Sequence, residues 1–411
     1  MAEKNLKVPN LRFKEFGGGW MSKKLGEVAE KINSGKTPLG GEAIYTSEGV
    51  IFIRSQNVNN DSLELGNTVF ISEETNEKMQ NSVVYPNDIL LNITGASLGR
   101  SCVVPDDFST GNVNQHVCII RLNEKCNPRF VQPILSSGKG QNVFQSLQTG
   151  SGREGLNFEN IKGIQLYFPS LNEQNRIADL FSMINIRIQT QNKIIEDLRL
   201  LKQTLVKKLF SQQLKFKDKN GSNYPDWQFK KLGDVTRIIN KRNKNNEKLP
   251  VYSINNRLGF VPQNEQFEGI DSGDRGYDIK LYKIINKNTF AYNPARINVG
   301  SIGYSGDLEN IIISSLYVCF ITKDSVNDEF LFQYLRTDLF NTQVLKNVEG
   351  GVRQYLFYEN FARIKFKLPC LEEQMKIADF LSAIDNKFAI EISVLHHLEN
   401  QKKYLLQNLF I

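Results

Sequence analysis

The chain has 411 residues, and an apolar content of 40% is enough to bury two ordinary cores. It contains no apolar run long enough to cross a bilayer, and its start, MAEKNLKVPNLRF, has no signal-peptide hydrophobic segment, which points to a soluble, cytoplasmic protein. A formal charge of +7 is compatible with a nucleic-acid partner without demanding one, and five cysteines at irregular spacing with no C-x-x-C pair argue against a disulfide framework or a zinc site.

Residues 1–19 form an N-terminal segment in which Leu11-Arg12-Phe13-Lys14 is similar to Leu214-Lys215-Phe216-Lys217. The N-terminus thus completes a pattern left unfinished at Phe410-Ile411, a circular organisation that fits two halves related by a pseudo-twofold axis. The first globular segment, 20–169, opens at Trp20 with Lys23-Lys24-Leu25-Gly26-Glu27-Val28. A turn-rich loop from Gly35 to Gly49 leads to the strand VIFIR and the polar SQNVNN. Asp88 to Asn92 reads as a buried strand followed by the loop TGASLGR, NVNQHVCIIR as another strand, and residues 128–147 as helix. Cys118 lies in the VCII run and Cys319 in a corresponding VCFI, both as small core residues.

A long helix is predicted over 170–212, from about residue 171 to 209 in its regular part. Ile177, Phe181, Ile184, Ile188, Ile195, Leu198 and Leu205 alternate steps of four and three, with Gln191 and Lys202 as polar exceptions, which is a heptad seam. Pro169 precedes it, Ser170 and Glu173 have capping-box spacing, and Lys207 and Lys208 sit at the carboxyl end of the dipole. A connector, 213–226, then leads to a second globular segment, 227–369, and a second long helix, 370–411.

These two repeat the first pair. Pro169, Leu171, Glu173, Gln174, Ile177, Ala178, Asp179, Leu209 and Phe210 recur two hundred residues later at Pro369, Leu371, Glu373, Gln374, Ile377, Ala378, Asp379, Leu409 and Phe410. The second seam is interrupted at the same places, by Glu391 and Lys402, so the helices are expected to face each other; Cys370 replaces the capping serine. Trp227 with Lys230-Lys231-Leu232-Gly233-Asp234-Val235 answers the opening at Trp20, Thr289 to Asn293 matches the 88–92 strand, and Gly300 matches Gly99. Leu356, Glu359 and Asn360 match Leu156, Glu159 and Asn160. If the segment between the helices is compact with its ends close together, the helices run antiparallel. The expected fold class is α+β (mixed α/β), two similar globular domains separated by a pair of long antiparallel coiled-coil helices. The loops differ: SGKTPLGG in one copy has become NKRNKNNEKLP in the other, and one frame with two loop sets implies two related, non-identical ligands.

The P-x-L-x-E-Q-x-x-I-A starts at Pro169 and Pro369, the Trp20 and Trp227 openings and YNPARINVGSIG at Tyr292 to Gly303 carry a family resemblance over essentially the whole chain. The sequence resembles the specificity subunit of type I restriction-modification systems. That resemblance implies a non-catalytic subunit whose two target recognition domains each read one half of a bipartite, asymmetric site in double-stranded DNA. It also implies docking of two methyltransferase subunits for adenine methylation and, through them, two restriction subunits for cleavage. No cofactor is then expected on this chain, with S-adenosylmethionine, ATP and Mg on the partner subunits. A helix of this length spans roughly 57 Å, and antiparallel packing would place one recognition domain at each end. Half-sites about one helical turn of DNA apart, on the order of 34 to 36 Å, come within reach. The coil would then act as a ruler.

Base edges are read by polar and basic side chains, while phosphate contacts position the protein. In the first domain the candidates are Lys36, Thr37, Arg54, Gln56, Asn57, Thr94, Ser97, Arg100, Gln115 and Arg153. In the second they are Lys241, Arg242, Lys244, Asn256, Arg257, Arg296, Asn298, Ser301, Arg353 and Tyr355. For each, the competing reading is a solvated loop side chain, and Arg153 and Arg353 could equally join each domain to its helix. His116 reads as a half-buried polar residue, and His396 and His397 as solvated or partner-facing.

Three catalytic motifs fail on context. Gly95-Ala96-Ser97-Leu98-Gly99 matches the hydrolase elbow, but no histidine occupies a plausible triad position. Asn293-Pro294 lacks the second proline and aromatic of adenine methyltransferases, and Pro105-Asp106 and Pro225-Asp226 lack the acid-x-lysine partner of metal-dependent nucleases. A self-sufficient nuclease or methyltransferase is therefore disfavoured. A stand-alone, repressor-like DNA binder is the remaining alternative, in which the exposed helix faces need no partner.

Overall fold

The structure, a computed structural model, describes residues 7–38, 40–148, 155–266, 276, 278–351 and 354–411. It divides into two compact units, Met1–Ile194 with Glu391–Ile411, and Ile195–Ile390.

In the first unit Val117–Leu122 runs inside a four-stranded antiparallel sheet of order Ala29–Ser34, Val117–Leu122, Ile89–Asn92, Ser101–Val103. Both faces of this sheet are covered. Ile89, Leu91, Cys118 and Ile120 face a core that includes Trp20, Phe130 and Phe168, while Leu90, Val117 and Ile119 face a second core with Ile53, Val84 and Val113. A strand buried on both sides reads as an unbroken apolar run, which is why ILL and VCII show no alternation. Burial pushes the Cys118 thiol up to about 12, so it is a core residue without nucleophilic character. A second four-stranded sheet, order Val69–Ile71, Val50–Ile53, Gly111–Val113, Val83–Val84, contains a parallel pair, Val50–Ile53 with Gly111–Val113. Residues 128–147 form two helices, Pro128–Ser136 and Gly138–Leu147, instead of the single one expected. The break is at Ser137, whose extended backbone ends one helix while its hydroxyl accepts from Gly140 N and so caps the next.

The second unit has the same frame. Its antiparallel sheet runs Thr236–Ile239, Val318–Thr322, Phe290–Tyr292, Ile302–Tyr304, and its other sheet runs Gly259–Pro262, Val251–Asn255, Ile311–Ile313, Lys283–Ile285 with a parallel central pair. One difference lies between the first two strands of that other sheet. Residues 256–258 make a tight turn here, where the first unit inserts residues 54–68 with a small hairpin, Val58–Asn59 with Ser62–Leu63.

Both long helices are unbroken, Leu171–Phe210 and Leu371–Asn408. Within the first unit they run antiparallel: Phe181 stacks on Phe410 at 5.4 Å, and Gln191 Nε2 donates to the Glu391 backbone oxygen at 2.9 Å and to its carboxylate at 2.5 Å. Within the second, Lys202 meets Asp385 at 2.5 Å and Phe210 shares a core with Ile377, Ala378 and Leu381, again antiparallel. The shared polar interruptions therefore do mark the facing seam at Gln191 and Glu391, whereas the two lysines find other acids.

The repeated helix start has a physical purpose in both units. Gln174 Oε1 accepts from Asn127 N at 3.0 Å while its Nε2 donates to Pro169 O at 3.1 Å, and Gln374 does the same with Asn327 N at 2.7 Å and Pro369 O at 2.9 Å. Each glutamine thus locks the first turn of its helix to the globular frame. The expected capping box is only half made: the Ser170 hydroxyl accepts from Glu173 N at 3.4 Å, but the Glu173 carboxylate turns to Arg12 instead of back to the cap. In the Lys-Lys-Leu-Gly openings the glycine permits close approach. A Cβ on Gly26 would lie 2.9 Å from Lys162 Cβ, and one on Gly233 2.9 Å from Ala362 Cβ.

Candidate nucleic-acid interface

Strand register decides where the loops of each unit emerge. In the first unit Ser34 pairs with Cys118, Asn92 with Val117 and Leu91 with Ser101, so one end of that sheet releases residues 35–37, 93–100 and 114–116. The parallel pair of the neighbouring sheet ends at Ile53 and Val113 together, releasing 54–57 and again 114–116. Eight of the ten candidates therefore share one end without having been close in sequence; Asn57 is turned inward, as described below, and Arg153 falls outside the described residues.

Hydrogen bonds fix this surface. The Thr37 hydroxyl donates to Gln115 Oε1, Gln115 Nε2 lies 3.1 Å from His116 Nε2, and Thr94 Oγ1 lies 2.6 Å from His116 Nδ1. His116 thus reaches the G-x-S-x-G loop, yet both its nitrogens are engaged by Thr94 and Gln115. Asn92 Nδ2 donates to Ser55 O at 2.8 Å, holding the 55–57 turn, and Arg100 Nη1 donates to Asn59 Oδ1 at 3.3 Å. Lys36, Thr37, Gln56, Arg100 and Gln115 are exposed, and Thr94, Ser97 and Arg54 half-buried. The Arg54 guanidinium lies 5.8 Å from the centre of the Tyr45 ring.

The second unit repeats the geometry. Ile239 pairs with Cys319 and Tyr292 with both Val318 and Ile302, releasing 240–244, 293–301 and 314–317 at one end. The parallel strands release 256–258 and 314–317 there too. Lys241 O accepts from Ile284 N at 2.8 Å, which keeps the basic 241–244 run at this end, since Lys283 pairs with Ile313. Asn255 Oδ1 accepts from Arg257 N and Leu258 N, presenting Asn256 and Arg257 outward. Gly300 adopts φ 90° and Gly99 φ 87°, the same left-handed turn closing the loop in both units, so their sequence match is conformational. Arg296, Asn298, Lys241, Arg242 and Lys244 are exposed. Tyr355 is half-buried and stacks on Phe357 at 5.7 Å. Arg353 lies outside the described residues.

Two candidates are corrected. Asn57 is 2% exposed, with Oδ1 accepting from Arg54 N and Nδ2 donating to Glu64 O, and Ser301 is 2% exposed, with its hydroxyl on Ile254 O. Each holds its loop from inside, because a polar side chain under a loop must satisfy itself on backbone. Sequence reasoning also missed residues at these ends: Asn59, and Lys283 with Tyr317, where Lys283 Nζ donates to Tyr317 O at 2.6 Å and the Tyr317 hydroxyl accepts from Ile254 N at 3.3 Å. Burial raises the Tyr317 pKa, opposed by that amide and by nearby Arg296, so it is a neutral phenol at physiological pH. The matched VCII and VCFI strands held the clue, since they put Tyr317 opposite His116.

Exposed guanidinium, ammonium, amide and hydroxyl groups on a rigid frame suit phosphate and base-edge contacts. Among the described residues no group of three His, Cys, Asp or Glu is placed to hold a metal, and no helix is long and apolar enough to cross a membrane. His396 and His397 are exposed and bonded to Asn400 and to Ser393 O.

A duplicated frame that keeps its core and changes its exposed loops defines a recognition protein with two readers. The model of the type I restriction modification DNA specificity domain matches twice, at residues 17–200 and 224–400, and the chain belongs to that family. It is a specificity subunit, a DNA-recognition component without catalysis of its own. The putative type I restriction enzyme MjaX specificity subunit of Methanocaldococcus jannaschii is 23% identical over 95% of this chain and 93% of its own length. The MjaVIII specificity subunit of the same organism is 28% identical over 79% of this chain and 78% of its own. The crystal structure of a type I restriction-modification S subunit from M. genitalium shares the fold, with a TM-score of 0.61 over 98% of this chain and 99% of that one at 16% identity.

Proposed function

We propose that each recognition domain reads one half of a bipartite, asymmetric DNA site, and that the paired helices set the gap between the halves. The observation that carries this reading is that the same sheet ends in both units gather the candidate side chains, with different residues in each. Lys36, Thr37, Gln56 and Gln115 in one unit give way to Lys241, Arg242, Lys244 and Arg257 in the other. The helices dock two methyltransferase subunits, and two restriction subunits join through them. Exposed apolar residues support such docking: Met183 and Ile186 in the first unit, Leu200, Leu201 and Ile390 in the second. S-adenosylmethionine, ATP and Mg belong to those partners, which work with this chain in the cytoplasm.

Replacing residues 20–168 by another recognition domain changes one half of the methylated site and leaves the other half intact, read by mapping methylated adenines. A change in both halves contradicts independent reading. Because Gln191 is bonded to Glu391, the ruler is tested by matched insertions of four residues in both helices beside these positions, adding about 6 Å. The preferred gap then widens while both half-sites persist; an unchanged gap in a folded variant rules the ruler out.

A further inference from the structure

In the second unit the half-buried lysine of the seam has a local answer. Lys202 Nζ meets Asp385 Oδ1 at 2.5 Å, and Gln333 Nε2 donates to Asp385 Oδ2 at 2.9 Å, so the acid is supplied by the partner helix. Two hundred residues earlier the position of Asp385 holds Asn185, which has no charge to give. Lys402, the counterpart of Lys202, instead meets Asp61 Oδ2 at 2.6 Å, and both side chains are only 15% exposed. Asp61 is at the tip of the hairpin Val58–Asn59 with Ser62–Leu63, in the insertion that the second unit lacks. It adopts φ 67°, a left-handed backbone unusual for a residue with a side chain, and its amide donates to Ser101 O at 2.9 Å. The position of Gln333 holds Pro133 in the first unit, and the neighbouring Gln132 donates to that same Ser101 carbonyl at 2.8 Å. Asp61 and Asn185 line one cleft. The same hairpin carries Asn59, which accepts from Arg100.

We propose that Asp61 is a positioning residue of the first recognition domain: anchored on Lys402, it fixes the hairpin and through Asn59 the setting of Arg100. The first recognition domain thereby supplies the counter-charge for a helix outside it, whereas the second unit keeps that charge on its helix pair. A domain exchanged in over residues 20–168 without this acid strands Lys402 unless Asn185 also becomes an acid. The claim rests on the reading of these loops as DNA readers, and its two arms separate the ion pair from that reading.

The test compares Asp61→Asn with the double variant Asp61→Asn, Asn185→Asp in the full chain. Asp61→Asn lowers the melting temperature, and adding Asn185→Asp restores it by giving Lys402 an acid on the facing helix, as Asp385 gives Lys202. Selection from a pool of random duplexes, with the methyltransferase partner present, shows both variants relaxed at bases of one half-site and unchanged in the other. No recovery of melting in the double variant overturns the ion pair, and a double variant that selects the parental site in both halves overturns the positioning role. If the parent itself selects no duplex, the proposed function falls while the melting arm still decides the pair. Should Asp61→Asn not fold, Asp61→Asn with Lys402→Met removes both charges, and it must relax the same half-site for the proposal to stand.

Discussion

The two helix starts show what duplication keeps and what it lets drift. Glu173 and Glu373 are both nearly inaccessible, at 1% and 3%. Glu173 is gripped by Arg12 through Nε and Nη2, each at 2.7 Å, while Glu373 accepts from Trp227 Nε1 at 2.9 Å. Among the described residues, Trp20, the counterpart of Trp227, finds no hydrogen-bond partner for its Nε1. A buried acid has to be satisfied, so the acid is retained in both copies, but any donor that reaches it will serve. The partner is therefore free to change.

The aromatic plugs should be the least interchangeable feature of the two copies. Phe410 packs on Phe130 at 5.5 Å and Phe210 on Phe330 at 5.5 Å, each inside its own unit's core. Phe410→Ala removes a fully buried ring and costs about 3–5 kcal/mol. Hydrogen exchange then quickens in Pro128–Ser136 and leaves Asp328–Tyr334 unchanged, with the reverse for Phe210→Ala. Equal loosening of both helices by either change would mean that the units do not hold separate cores.

Glu173→Gln comes next in size. It keeps one acceptor for Arg12 but loses the bidentate, charge-assisted geometry, and the Arg12 side chain, 15% exposed, must keep its charge there. Since hydrogen bonds to charged groups contribute about 1.5–3 kcal/mol each way of counting, a loss of about 2 kcal/mol is expected in denaturant unfolding. A loss no larger than that of the matching Glu373→Gln would remove the distinction between the two starts.

The helices, the repeat and the circular closure were legible because they rest on periodicity and on residues that recur. Leu11 N donating to Asn408 O at 2.9 Å is the closure that the Leu-Arg-Phe-Lys match implied. Strand ends were legible as loops, but not which loops meet: the parallel pairing of Val50–Ile53 with Gly111–Val113 joins segments far apart in sequence, and nothing local encodes it. For the same reason Asn57 and Ser301, polar and in loops, read as surface residues until the backbone groups beneath them were visible. Lys402 was legible as a flaw in the seam, yet its acid lies in an insertion more than three hundred residues away. Only packing reveals that.

The smallest effect is the most discriminating for the comparison. Burial raises the Glu373 pKa above the ordinary carboxylate range, opposed by the Trp227 hydrogen bond and by Lys215. A carboxyl whose folded pKa lies above its unfolded one contributes stability that is present below the unfolded value and is lost as pH rises through the folded value. Glu373→Gln removes that titration while its amide oxygen still accepts from Trp227. The variant should therefore differ from the parent by no more than about 0.5 kcal/mol, gaining on it as pH is raised from the ordinary carboxylate range to neutrality. Chemical denaturation at a series of pH values reads the difference directly, and a variant that loses ground as pH rises would show that the ionised Glu373 is a favourable partner of Trp227 instead of a tolerated burial.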